Sequence, residues 1–72
     1  MDENFEKRKF GKQVVRLRTE KGLSQEELAF QSGINRTYIG EVERGEKSPS
    51  LIIITKIAKG LNVSKKFLMD YE

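Results

Sequence analysis

The sequence predicts an all-α fold, a compact bundle of five short helices. Apolar residues recur at three- and four-residue spacing along the chain. A serine or asparagine suited to helix capping stands before four of the five segments. Residues 51–55, Leu-Ile-Ile-Ile-Thr, are the only stretch with strand composition, and no second stretch exists to pair with them.

The first helix is expected from about Asn4 to Lys21, with Phe10, Val14 and Leu17 on one face and Gly22 as its stop. The second starts after Ser24. Ser24 with Glu27 forms a capping box, in which each side chain satisfies a free backbone N–H of the other. Leu28 and Ala29 face inward, and the helix ends near Ser32-Gly33. The third has Asn35 as cap and runs from 36 to 44, with Ile39 and Val42 as its apolar contacts and Gly45 after it. The fourth, 51–60, is read as helix despite its composition. Ser50 caps it, and Leu51, Ile54, Ala58 and Leu61 repeat at helical spacing. A short fifth helix follows Ser64 and carries Phe67, Leu68 and Tyr71.

Composition excludes much chemistry. With 72 residues the chain is one domain, residues 1–72, with a thin core. It has no cysteine and no histidine, so no disulfide, thiolate nucleophile, imidazole base or Cys/His zinc site is possible. The glutamates at 26, 27, 41, 43 and 46 stand at capping or solvated positions. No paired-carboxylate catalytic site, aspartate-rich metal loop or phosphate-cradling glycine motif is present. No enzyme, metal or cofactor is therefore expected. No run of 18 apolar residues exists, so no membrane span is expected. The acidic start, Met1-Asp2-Glu3-Asn4, lacks a signal-peptide pattern, and the expected compartment is the cytoplasm.

Charge points to a polyanion. Residues 7–21 hold seven lysines and arginines against one glutamate, in a chain of net charge +3. The two central segments then decide which polyanion. Helices over 25–32 and 36–44, joined by Gly33-Ile34-Asn35, have the spacing of a helix-turn-helix unit spanning 25–44. Ala29 is small at the crossing, Gly33 suits the turn, and Leu28, Ile34, Ile39 and Val42 can lock the crossing angle.

In such a unit the second helix enters the DNA major groove by its N-terminal end. That end is Arg36, Thr37 and Tyr38, with Glu41 one turn on. Arginine can pair bidentately with guanine, threonine can touch a thymine methyl, and glutamate can accept from cytosine. Tyrosine can reach a phosphate or base through its hydroxyl. Glu41 is alternatively a helix-surface partner of Arg44. Gln25, at the start of the second helix, and Lys47 and Ser48, after the third, are placed for phosphate contacts.

From residue 10 to residue 68 the sequence resembles lambda-repressor-like DNA-binding domains of the Cro/C1 (Xre) type. The matching text is Leu17-Arg18, Gly22-Leu23-Ser24-Gln25-Glu26-Glu27-Leu28-Ala29, Gly33-Ile34, Ile39 and Glu43-Arg44-Gly45. It continues with Pro49-Ser50-Leu51, Ile57-Ala58 and Leu61-Asn62-Val63-Ser64. Arg36-Thr37-Tyr38-Ile39 with Glu41-Val42-Glu43-Arg44-Gly45 is most similar to controller proteins of restriction–modification systems. Ser32 stands where the motif is usually apolar. The resemblance implies a sequence-specific transcriptional regulator that binds an inverted-repeat (palindromic) operator on double-stranded DNA as a homodimer. It also implies a structural ion pair between Arg18 and Glu43.

Ile52 and Ile53, off the expected core face of the fourth helix, join Phe67, Leu68 and Met69 as the expected dimer surface. With no second domain to hold an effector, no small-molecule ligand is expected. The remaining readings are a phage-type repressor, an antitoxin, for which little chain follows Leu68, and a protein-interaction module that keeps the fold without DNA.

Overall fold

A computed structural model describes the backbone of residues 3–71 and the side chains of 5–71; Met1, Asp2 and Glu72, part of the single domain expected from the sequence, lie outside the described residues. Five helices follow in order, and no strand occurs among the described residues: α1 (Glu3–Glu20), α2 (Gln25–Ser32), α3 (Arg36–Glu43), α4 (Leu51–Leu61) and α5 (Lys65–Leu68). The expected boundaries of α1 to α4 agree with these to within one residue; α5 is a single turn that ends at Leu68, so Tyr71, expected on it, lies beyond its end.

Each helix after the first begins on the cap that the sequence offered. The Ser24 hydroxyl accepts from the Glu27 N–H at 3.0 Å, and the Ser24 N–H donates to Glu27 Oε1 at 2.8 Å. Asn35 Oδ1 accepts from the Thr37 N–H at 2.7 Å. Ser50 and Ser64 accept from the N–H groups of Ile53 and Phe67. These bonds satisfy donors that a helix start leaves without partners. Gly33 ends α2 with φ 69°, a left-handed conformation that turns the chain straight into α3.

The core joins Phe10, Val14 and Leu17 of α1, Leu28 and Ala29 of α2, and Ile39 and Val42 of α3. Ile54, Ile57, Ala58 and Leu61 of α4 and Leu68 of α5 complete it. α1 rests on α3, and α2 packs against both α3 and α4. The α1–α3 approach is backbone to backbone: a Cβ at Gly11 would collide with the carbonyl oxygens of Val42 and Glu43. Ser32 is buried opposite Gly60, whose missing side chain leaves room for it. That is why a serine is accommodated where an apolar residue was expected.

Two expectations are corrected. Leu51 is 81% exposed and does not join the core. Side chains of a helix tilt toward its N-terminus, and Leu51, as the first residue of α4, has no earlier turn of that helix to lie against. The buried stripe is Ile54, Ile57, Ala58 and Leu61. Leu68, expected on the dimer surface, is fully buried. It is the apolar residue through which the single turn of α5 closes onto the bundle. Ile53 is half-buried and packs against the same core, whereas Ile52, Phe67 and Met69 are exposed.

Substituting Gly11→Ala tests the close approach. The methyl group meets backbone rather than a movable side chain, so overpacking of about 1–3 kcal/mol outweighs the helix-propensity gain. Chemical denaturation is expected to show a less stable protein; equal or greater stability would contradict the packing.

Candidate nucleic-acid interface

The position of α3 is set by one carboxylate. Glu43 lies on its last turn, with a side chain only 4% exposed. Arg18 of α1 donates from Nε to Oε2 at 2.6 Å and from Nη2 to Oε1 at 3.1 Å. Gln25 of α2 donates from Nε2 to Oε1 at 2.7 Å. Arg18 also donates from Nη1 to the Leu23 carbonyl at 2.9 Å, anchoring the loop before α2. One buried anion thus receives hydrogen bonds from two other helices. A bidentate Arg–carboxylate pair fixes orientation as well as distance.

The other end of α3 is bare. Arg36 and Thr37 are exposed beside the capping Asn35. Tyr38 is half-buried with its ring against the edge of the core, so it is more embedded than the sequence suggested. Glu41 is half-buried one turn on. It is not the hydrogen-bond partner of Arg44, which donates to Glu46 instead, from Nε at 2.8 Å and from Nη2 at 3.2 Å. These bonds hold the Glu46 carboxyl below its ordinary pKa and raise that of Arg44. The pair is exposed on both sides and adds little to stability.

Lys47 and Ser48 are exposed in the segment between α3 and α4. Gln25 begins α2, as expected, but one amide proton is committed to Glu43. Its second amide proton and its helix-start backbone N–H are the donors left for an anion. α3 therefore presents a polar N-terminal turn, while Gln25 is tied to the other end of the helix through Glu43, and Lys47 and Ser48 follow that end in the exposed connection to α4. No group of three or more Asp and Glu side chains that could hold a metal occurs among the described residues.

Sequence reasoning missed Gln25 as a second ligand of Glu43. A glutamine at a helix start carries no signal of a partner 18 residues away. It also missed Phe30, which stands 88% exposed on the outer face of α2. An eight-residue helix is too short for periodicity to tell its outer face from its core face.

The comparisons agree with this geometry. A helix-turn-helix family model matches residues 14–68. The control protein C.BamHI of Bacillus amyloliquefaciens is 46% identical over 63 residues, covering 86% of this chain and 78% of that one. The crystal structure of the restriction–modification controller protein C.AhdI from Aeromonas hydrophila matches with a TM-score of 0.84 at 50% identity. It covers 86% of this chain and 94% of that one. The controller protein C.Esp1396I, solved as a tetramer in complex with its natural 35 base-pair operator, matches with a TM-score of 0.86 at 35% identity. The match covers 92% of this chain and 87% of that one. The chain belongs to the helix-turn-helix family, whose regulators act by binding DNA. Within it, the chain is similar to the controller proteins of restriction–modification systems.

Breaking the Glu43 network has a definite cost. Glu43→Ala leaves the Arg18 guanidinium, itself mostly buried, without its partner. Loss of about 3–5 kcal/mol is expected. The double variant Arg18→Met with Glu43→Leu removes both charges and should recover part of that loss. Equilibrium unfolding of the three proteins checks both statements. A Glu43→Ala protein as stable as the parent would show that the pair fixes nothing.

Proposed function

We propose that this protein is a sequence-specific DNA-binding transcriptional regulator that acts as a homodimer on an inverted-repeat operator, in the manner of the controller proteins. The observation that carries the reading is the exposed first turn of α3, held from behind by the Arg18–Glu43–Gln25 network. Arg36, Thr37, Tyr38 and Glu41 are assigned to base edges, and Gln25, Lys47 and Ser48 to phosphates. Arg36 carries most of the discrimination, since a bidentate arginine–guanine pair is worth about 1–3 kcal/mol against the wrong base. On this reading the protein works by binding and not by catalysis, in the cytoplasm where its DNA lies; no helix among its described residues is long and apolar enough to cross a membrane.

The dimer surface is assigned to Ile52, Phe67 and Met69, all exposed, with Leu51 beside them and Ile53 at their edge. Leu51 and Ile52 at the start of α4, Phe67 of α5 and Met69 just after it are large apolar side chains left in water, the material of a contact surface. A two-fold contact there sets the two recognition helices about 34 Å apart, one turn of DNA.

Selection of bound duplexes from a random library tests the reading. The parent protein is expected to enrich an inverted repeat, and Arg36→Ala to lose or relax the preference at one position in each half. Lys47→Ala should instead weaken binding evenly across sequences and flatten the salt dependence by about one unit of slope. No enrichment at low salt by folded protein would sink the proposal and direct attention to protein partners.

The dimer is tested separately. Ile52→Asp places a charge in the contact, and sedimentation should show a monomer that still folds and binds the operator weakly. A dimer that survives this change would place the contact elsewhere.

A further inference from the structure

Arg44, at the C-terminal cap of α3, has no part in the contacts assigned to DNA. Its guanidinium folds back along the helix. At the point where a side chain on Gly40 would begin, Arg44 Nη1 is 3.1 Å away and Gln25 Oε1 is 3.9 Å away. A larger residue at position 40 would push the guanidinium aside. That is a physical reason for a glycine in the middle of a helix, where it is otherwise unfavourable. Arg36, Gly40 and Arg44 follow at four-residue intervals and share one side of α3.

This placement bears on DNA. In a helix-turn-helix unit the first helix crosses the phosphate backbone while the start of the second meets base edges. Here the first helix is α2, and Gln25 is its first residue. The bare Cα of Gly40 thus sets the Arg44 guanidinium beside the start of α2, two turns, or about 12 Å of helix rise, beyond Arg36. In the free protein that guanidinium is occupied. Nε and Nη2 donate to the two carboxyl oxygens of Glu46, at 2.8 and 3.2 Å. Nη1, the nitrogen turned toward Gly40, takes no part in the pair. Two carboxylate oxygens on a planar fork present the same acceptors that a phosphate does. The two side chains are 58% and 53% exposed, so water and salt screen the pair and it exchanges readily. Glu41 adds a weaker pull on Arg44, and Lys47 a weaker pull on Glu46.

We propose that Glu46 stands in for a DNA phosphate: it holds the Arg44 guanidinium over Gly40 in the free protein and yields it to a backbone phosphate when DNA binds. The inference rests on the proposed function, and it adds Arg44 to the phosphate contacts and Glu46 as their competitor within the chain. A phosphate contact carries no sequence information. Glu46 therefore lowers affinity for every duplex alike and leaves the choice of sequence to Arg36 and its neighbours.

Fluorescence anisotropy tests the exchange with the parent, Glu46→Gln, Arg44→Gln and the double variant. Each is titrated with the duplex that the parent selects and with a duplex of unrelated sequence. Melting temperatures, expected to match the parent because the pair is exposed, separate binding from folding. Glu46→Gln is expected to bind both duplexes about two- to fivefold more tightly, the range of an exposed ion pair. Arg44→Gln should weaken both and lower the salt dependence by about one unit of slope. In the Arg44→Gln background, Glu46→Gln should bring no further gain. An equal gain in both backgrounds would mean only that a negative charge near DNA was removed, and overturns the exchange. So does an Arg44→Gln protein that binds as tightly as the parent. Either result, with the parent still selecting an inverted repeat, leaves the proposed function standing without Arg44 and Glu46. A folded parent that binds neither duplex at low salt overturns both.

Discussion

The fold and the reading surface both depend on the Glu43 carboxylate. It sits at the C-terminal end of α3, almost wholly out of water, and takes three hydrogen bonds from α1 and α2. A carboxylate in that position is costly unless its partners are in place. When they are, the three helices have one relative arrangement, because a planar fork on a planar carboxylate has little freedom. The interaction holds the rear of α3 and leaves its front free. That is the mechanical requirement for a helix that must enter a groove without shifting in its socket.

Packing adds a second restraint. Gly11 lets α1 touch the α3 backbone beside Glu43, so ion pair and close approach act on the same turn. Ile39 and Val42 are fully buried on the inner face of α3, while Arg36 and Thr37 stay in solvent on the outer face. Stability and recognition are thus divided between two faces of an eight-residue helix. On the proposed function, the side chains assigned to base edges can vary on such a scaffold with little effect on the fold, and variants at Glu43 are expected to act on DNA binding through the position of α3.

Much of this was legible in the sequence, for physical reasons. Capping residues act locally, so Ser24, Asn35, Ser50 and Ser64 marked the helix starts. The turn at Gly33 is also local. The inner faces of α1 and α3 followed from periodicity over enough residues to average out exceptions. The inner face of α4 did not, because Leu51 fits the same spacing and only its place at the end of the bundle exposes it. Leu68 was misplaced for a related reason: a single turn has no periodicity, and α5 is four residues long. The Arg18–Glu43 pair came from resemblance rather than spacing. Gln25 on Glu43 depends on a contact that no local pattern carries.

On the proposed function, the N-terminal turn of α3 reads DNA bases from a socket fixed by Glu43. Its most direct test is a set of intermolecular nuclear Overhauser contacts in the complex of labelled protein with the duplex it selects. Contacts are expected from the Arg36 and Thr37 side chains to major-groove base protons, with Glu43 and Arg18 signals unchanged from the free protein. Base contacts arising from α1, α4 or α5, with the α3 side chains still in solvent, would contradict it.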